Sequence, residues 1–148
     1  LHLALHGFYN TNLAEETDFA LDRGLVSSGL VFSKKDDNEI LTAYEIQGMD
    51  FSQTNLVVLS ACESGRGDII EGEGLDGLQR AFINGGAKQV VLSLWRINDT
   101  STKILMNYFY NEYLKHQNAH EALRQAELKM IETGFRPKDW SPFIVVEN

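Results

Sequence analysis

Leu56-Val57-Val58-Leu59-Ser60-Ala61-Cys62-Glu63-Ser64-Gly65 begins as an apolar, valine-rich run and ends on the chain's one cysteine. A run of this length, apolar on every face, is the signature of a strand buried on both sides at the centre of a parallel sheet. Past Cys62 the composition changes. Glu63 to Gly72 is charged and glycine-rich and reads as a loop. The cysteine therefore stands where a central strand gives way to a loop.

Working outward, Leu1 to Leu5 is a second short apolar run, stopping at His6-Gly7, and reads as a buried strand ending in a tight loop. Phe8 to Ser28 is polar and acidic with weak periodicity and is expected to be mostly loop. Gly29 to Ser33 reads as a strand. With a turn at Lys34 to Asn38, it forms a hairpin with Glu39 to Leu41. Thr42 to Gly48 suits a short helix, with Thr42 and Glu45 at capping-box spacing. Downstream, Leu75, Leu78, Ala81 and Phe82 share one face of a helix closed by Gly85-Gly86. Gln89 to Leu94 is another buried strand. Asn98-Asp99-Thr100 opens a long helix with Ile104, Leu105, Tyr108 and Phe109 inward. Asn118 and Glu121 have capping spacing for a last helix whose Leu123, Ala126 and Met130 face the core, and Phe143 to Val146 is a final strand. Strands alternating with helices predict an α/β domain, a mostly parallel sheet with helices on both faces. Reactive groups in such sheets collect at the carboxyl ends of the strands, where His6 and Cys62 both stand.

The bulk composition narrows the function. The 148 residues fit one domain, 43% hydrophobic and 23% charged, as in ordinary globular chains. A net charge of −8 speaks against a nucleic-acid partner, which needs a basic footprint, and weakly favours a basic peptide or protein. No apolar run reaches the roughly 18 residues of a membrane span. The single cysteine has no internal disulfide partner, so a reducing, cytoplasmic setting is expected and the thiol is free for chemistry. The chain opens without the basic n-region of a secretory signal; it lacks an initiator Met and opens on a run that reads as a buried strand, which suggests a piece of a longer polypeptide.

A cysteine hydrolase needs a thiolate, a base to generate it and donors for the oxyanion. Cys62 supplies the thiol. His6 supplies an imidazole with an ordinary pKa of about 6.5, suited to exchanging a proton at neutral pH. The backbone N–H groups of Gly7 and Cys62 are the candidate oxyanion donors. Cys62 follows His6 by 56 positions, near the roughly 50 of the caspase arrangement. A lone cysteine at a strand end is more often a small buried hydrophobe, and a lone histidine before glycine a turn residue; it is their pairing that carries the reading.

Leu3-Ala4-Leu5-His6-Gly7 and Leu56 to Gly65 resemble the His and Cys motifs of CHAT-domain peptidases, caspase-like proteins of clan CD related to separase. The likeness continues through Gly72 to Phe82, Gly85-Gly86-Ala87, Ser93 to Asp99, Phe109-Tyr110, Glu121 to Arg124 and Trp140 to Phe143, in order along almost the whole chain. The resemblance implies peptide-bond hydrolysis by a His6–Cys62 dyad with no metal or organic cofactor. It implies a caspase-like three-layer sandwich formed by a single domain over residues 1–148. It also implies helical repeats of the TPR type upstream in the full-length protein. The caspase-like fold has strands before the one carrying histidine; this chain begins on that strand, so an exposed sheet edge is expected.

Acidic residues follow the reactive strands. Asp99 resembles the aspartate that lines the S1 pocket of separase and would pair bidentately with a basic P1 side chain; otherwise it would cap its helix. Glu63 and Glu73 are further substrate-binding candidates, although Glu73 also suits a helix N-terminus. Trp95 reads as a core aromatic, and Tyr108, Phe109, Tyr110 and Tyr113 as packing on one helix face. His116 and His120 are weak metal candidates. Two other functions compete with the endopeptidase: a catalytically inactive or latent CHAT-like interaction module, and a nucleotide-binding domain suggested by Gly72-Glu73-Gly74. The latter lacks the Lys-Ser/Thr of a P-loop, and its carboxylate would repel phosphate.

Overall fold

The computed structural model describes residues 1–9, 20–33, 38–60, 62–63, 73–95 and 98–148. In chain order the elements are β1 (His2–Leu3), β2 (His6–Tyr9), α1 (Ala20–Ser27), β3 (Ser28–Ser33), β4 (Asn38–Thr42), α2 (Ala43–Gln47), β5 (Val57–Leu59), β6 (Cys62–Glu63), α3 (Glu73–Asn84), β7 (Gln89–Ser93), α4 (Asp99–His116), α5 (Ala119–Glu132), a 3-10 turn (Pro137–Asp139) and β8 (Phe143–Glu147).

The first sheet has the order β1-β5-β7-β8. Its strands are parallel except β8, which runs antiparallel to β7. The alternation of the strands splits their apolar residues between two faces. Val57, Leu59, Val90 and Leu92 face one core with Ala43 and Ile46 of α2 and Leu78, Ala81 and Phe82 of α3. Val58 and Val91 face the other with Leu105, Met106 and Phe109 of α4 and Ala122, Leu123, Ala126 and Met130 of α5. The result is the mixed α/β, three-layer, caspase-like arrangement, with a mostly parallel sheet covered on both sides. β5 and β7 are apolar on both faces because both faces are buried.

Local signals account for the helix ends. The Thr42 hydroxyl accepts from the Glu45 N–H at 3.2 Å, and the Glu45 carboxylate accepts from the Thr42 N–H at 2.8 Å, completing the capping box of α2. Asn98 caps α4 by accepting from the Thr100 N–H at 2.8 Å, and Asn118 caps α5 by accepting from the Glu121 N–H at 2.9 Å. α3 ends at Gly85-Gly86, where Gly86 takes φ +102°, a conformation suited to glycine.

A second sheet, of order β4-β3-β2-β6, joins the expected hairpin to two short strands, β2 and β6, where composition assigns loop. The hairpin of β3 and β4 forms as expected, while its turn at 34–37 lies outside the described residues. β1 covers only His2–Leu3 and among the described residues is an edge strand, with His2 exposed and Leu3 half-buried, instead of a buried five-residue strand. His6-Gly7 does not close a loop: the chain re-enters a sheet there as β2. The glycine that suggested a turn instead occupies a buried strand position in register with Leu30 on one side and Glu63 on the other. Glu63 likewise belongs to a strand, and the remainder of the expected loop, 64–72, lies outside the described residues.

The other correction is α1, which occupies part of the segment expected to be mostly loop. Its helical signal is weakened by Gly24, and tertiary contact explains that residue. Gly24 meets Gly77 of α3 so closely that a Cβ on Gly77 would overlap the Gly24 carbonyl and the Ser28 hydroxyl. Gly77→Ala is expected to destabilise the fold. The gain in helix propensity, about 1 kcal/mol, is outweighed by a clash with backbone, where overpacking typically costs about 1–3 kcal/mol and occasionally more. Thermal unfolding measures the net effect; an unchanged or raised Tm would contradict the close crossing of the two helices.

Candidate active site

Two pairs of strands build the site, and one relation governs both. In the first sheet β1 lies parallel to β5 with His2 opposite Val58 and Leu3 opposite Leu59. In the second, β2 lies parallel to β6 with His6 opposite Cys62 and Gly7 opposite Glu63. Every pair is separated by the same 56 positions. The two segments therefore leave the first sheet together after Leu3 and Leu59 and resume pairing in step at His6 and Cys62. The Ser60 N–H donates to the Leu3 carbonyl at 3.2 Å where they leave it. Backbones of adjacent strands run about 4.8 Å apart, so the backbone register brings His6 and Cys62 side by side.

The environments of the two expected oxyanion donors differ. Gly7 lies in a strand paired on both sides, with β3 and with β6. Cys62, read from the sequence as the point where a central strand gives way to a loop, is instead paired to β2 in a two-residue strand at the end of the sheet order. Among the described residues the outer side of β6 carries no further strand.

The carboxyl end of β7 adds the neighbouring part of the rim. The Ser93 hydroxyl donates to the Trp95 carbonyl at 2.6 Å, and the Leu94 N–H donates to the Pro142 carbonyl at 2.9 Å. These bonds hold the chain as it leaves the sheet. Trp95 is not a core residue: it is 48% exposed, with Leu94 beside it at 42%. Its aromatic character suggested burial, but the strand ends at Ser93 and the indole lies past the covered part of the sheet.

Asp99 is the first residue of α4 and is exposed. The capping that its position suggested is performed by Asn98. Glu73 is the first residue of α3, and Glu63 lies in β6 opposite Gly7. Of the weak metal candidates, His120 is exposed, 3.8 Å from Glu147. Among the described residues no three His, Cys, Asp or Glu side chains converge as a metal site. No helix among them is long and apolar enough to cross a membrane.

Three polar residues escaped the motif reading. His2 contacts both Ser60 and Tyr110. The available signal was position: His2 precedes His6 by four residues, and Ser60 precedes Cys62 by two.

A family model described as CHAT domain matches residues 1–148. The mouse protein named Tetratricopeptide repeat protein 28 is 29% identical over 110 residues, covering 72% of this chain and 4% of that protein. The human protein of the same name is 27% identical over 110 residues, with the same coverage of 72% and 4%. The chain thus spans about 4% of the length of these curated relatives.

Proposed function

Since this chain belongs to the CHAT-domain family, a caspase-like family of clan CD, we propose that it is a cysteine endopeptidase with His6 and Cys62 as its dyad. The observation that carries the reading is the pairing of these two positions across neighbouring parallel strands. Positions in register on adjacent strands share a face of the sheet, which is what proton transfer between an imidazole and a thiol requires.

In this mechanism His6 takes the thiol proton. The Cys62 thiolate adds to the scissile carbonyl, and the backbone N–H of Cys62, in the end strand of its sheet, receives the developing oxyanion; that of Gly7, in a strand paired on both sides, would have to leave its ladder to join it. Collapse expels the amine, which takes the proton from His6, and leaves a thioester on Cys62. Water, deprotonated by His6, then hydrolyses the thioester to the acid and restores the thiol. The chemistry uses neither metal nor organic cofactor.

Asp99 is the specificity residue of this reading. Its carboxylate is exposed beyond the carboxyl end of β7, the strand next to β5, and is suited to an Arg or Lys at P1. Glu63 and Glu73 are further substrate-binding residues of this reading. The net charge of −8 favours approach of a basic segment. The substrate is a peptide or protein, and the setting is a cytoplasmic protein with TPR-type repeats upstream. The printed names of the relatives support the repeat context.

Those names, which refer to repeats, also favour a second reading, a latent or inactive CHAT module that binds partners. A peptide panel varied at P1, together with a thiol-directed peptidyl electrophile, separates the two. The endopeptidase cleaves after Arg or Lys and is labelled at Cys62, and Asp99→Ala loses the preference for a basic P1. Neither cleavage nor labelling with any peptide supports the binding module. Cleavage indifferent to P1 charge, or a preference unchanged in Asp99→Ala, removes Asp99 from the site.

A further inference from the structure

A line of three polar side chains runs beside these paired segments. The Tyr110 hydroxyl lies 2.8 Å from His2 Nδ1, and His2 Nε2 lies 3.2 Å from the Ser60 hydroxyl. The His2 and Tyr110 rings are 5.7 Å apart between centroids and inclined by 33°. Tyr110 belongs to α4, His2 to β1, and Ser60 directly follows β5. An outer-layer helix is thereby tied through β1 to a central strand.

The chemistry of the line is directional. His2 is an exposed residue whose ring is partly desolvated, which lowers its imidazole from the ordinary value of 6.5, and burial pushes the Tyr110 phenol up to about 12, so both are neutral near pH 7. A neutral imidazole has one donor and one acceptor nitrogen. One hydroxyl therefore donates to the ring and the other accepts from it, and the two bonds polarise each other.

The position of the line gives it a task. β1 has two residues, and its backbone contacts to β5 include the bonds from the Val58 N–H to the Leu1 carbonyl at 2.9 Å and from the Ser60 N–H to the Leu3 carbonyl at 3.2 Å. Among the described residues β1 has β5 as its one strand neighbour, and a two-residue ladder has little of its own to resist slippage; a slip of one residue carries every position to the opposite face. Both ladders share one offset, so the register of β1 on β5 is transmitted to His6 on Cys62.

We propose that Tyr110, His2 and Ser60 form a positioning clamp that holds β1 on β5 and thereby keeps His6 aligned with Cys62. The proposal rests on the dyad reading above, and its test separates the two.

The readout is the pH dependence of alkylation of Cys62 by iodoacetamide, followed by mass of the modified peptide, alongside Tm. Only the thiolate reacts, and an unassisted thiol titrates at about 8.5. The unmodified protein is expected to react with a midpoint well below that value, and His6→Ala to bring the midpoint up to it. Tyr110→Phe and Ser60→Ala each remove one bond of the clamp. Each is expected to raise the midpoint by about half to one pH unit, equivalent to one ordinary hydrogen bond. A lowered Tm with an unmoved midpoint in both variants means ordinary structural bonds and overturns the clamp. If His6→Ala shifts the midpoint and neither clamp variant does, the dyad stands and the clamp falls. If His6→Ala itself leaves the midpoint in place, dyad and clamp fall together.

Discussion

Replacing His6 with alanine is expected to lower kcat/KM for a basic-P1 peptide by about 10²–10⁴-fold, the range contributed by a positioned general acid–base. The loss has two parts. Without an imidazole beside it, the thiol reverts to its ordinary acidity and is only a few per cent ionised at pH 7. The leaving amine also loses its proton donor. The residual activity of His6→Ala should therefore climb with pH towards about 8.5, as unassisted thiol ionises, in contrast with the profile of the intact dyad. Cys62→Ala retains its backbone N–H but has no nucleophile, and its hydrolysis should fall to background. Steady-state rates between pH 6 and 9 test both variants. A His6→Ala protein with the parent rate would mean that the pairing of these positions has no catalytic role.

The second large effect concerns stability. Phe82→Ala is expected to destabilise the domain by about 3–5 kcal/mol, the usual cost of truncating a fully buried phenylalanine. Phe82 is 1% exposed on the inner face of α3, among Leu78, Ala81, Val57, Leu59, Val90 and Leu92. Its ring lies 5.0 Å from that of Phe51, in a loop beyond α2. Truncation would leave a void bounded by sheet, helix and loop, three walls that cannot collapse together. At roughly 2–4 °C per kcal/mol for a domain of this size, Tm should drop by roughly 6–20 °C. Leu114→Ala serves as the comparison. That side chain is 77% exposed, and its removal should change stability by less than about 0.5 kcal/mol. Equal Tm values for the two variants would contradict the packing described for α3.

The parts of the fold legible in the sequence are those whose partners matter little to their signal. β5 and β7 announce themselves by unbroken apolar runs, because burial on both faces leaves no polar alternation. α2, α4 and α5 announce themselves by caps that act within four residues. The parts that were not legible depend on distant partners. α1 carries a glycine in mid-helix whose reason is Gly77, far along the chain. β2 and β6 are too short for any periodicity, and glycine and charge near them imitate loops. Gly29 to Leu41 could be read as a hairpin, but nothing local indicates that β2 joins it. At the site, the separation of His6 from Cys62 was visible as a number, yet its meaning as a shared ladder offset is a property of the fold. Trp95 was misjudged because residue type predicts burial only on average, and the sheet ends two residues before it.

The common offset of the two ladders also limits how the chain can be edited. A residue inserted at Ala4–Leu5 alone, or deleted at 60–61 alone, would throw the second ladder out of phase with the first, whatever the chemistry of the residue. Matched changes at both junctions would preserve phase. Between the junctions the polypeptide makes a long detour through the hairpin and α2. An addition to that detour alters the count between histidine and cysteine while leaving the alignment intact, so homologues need share the length of the junctions and not the number 56.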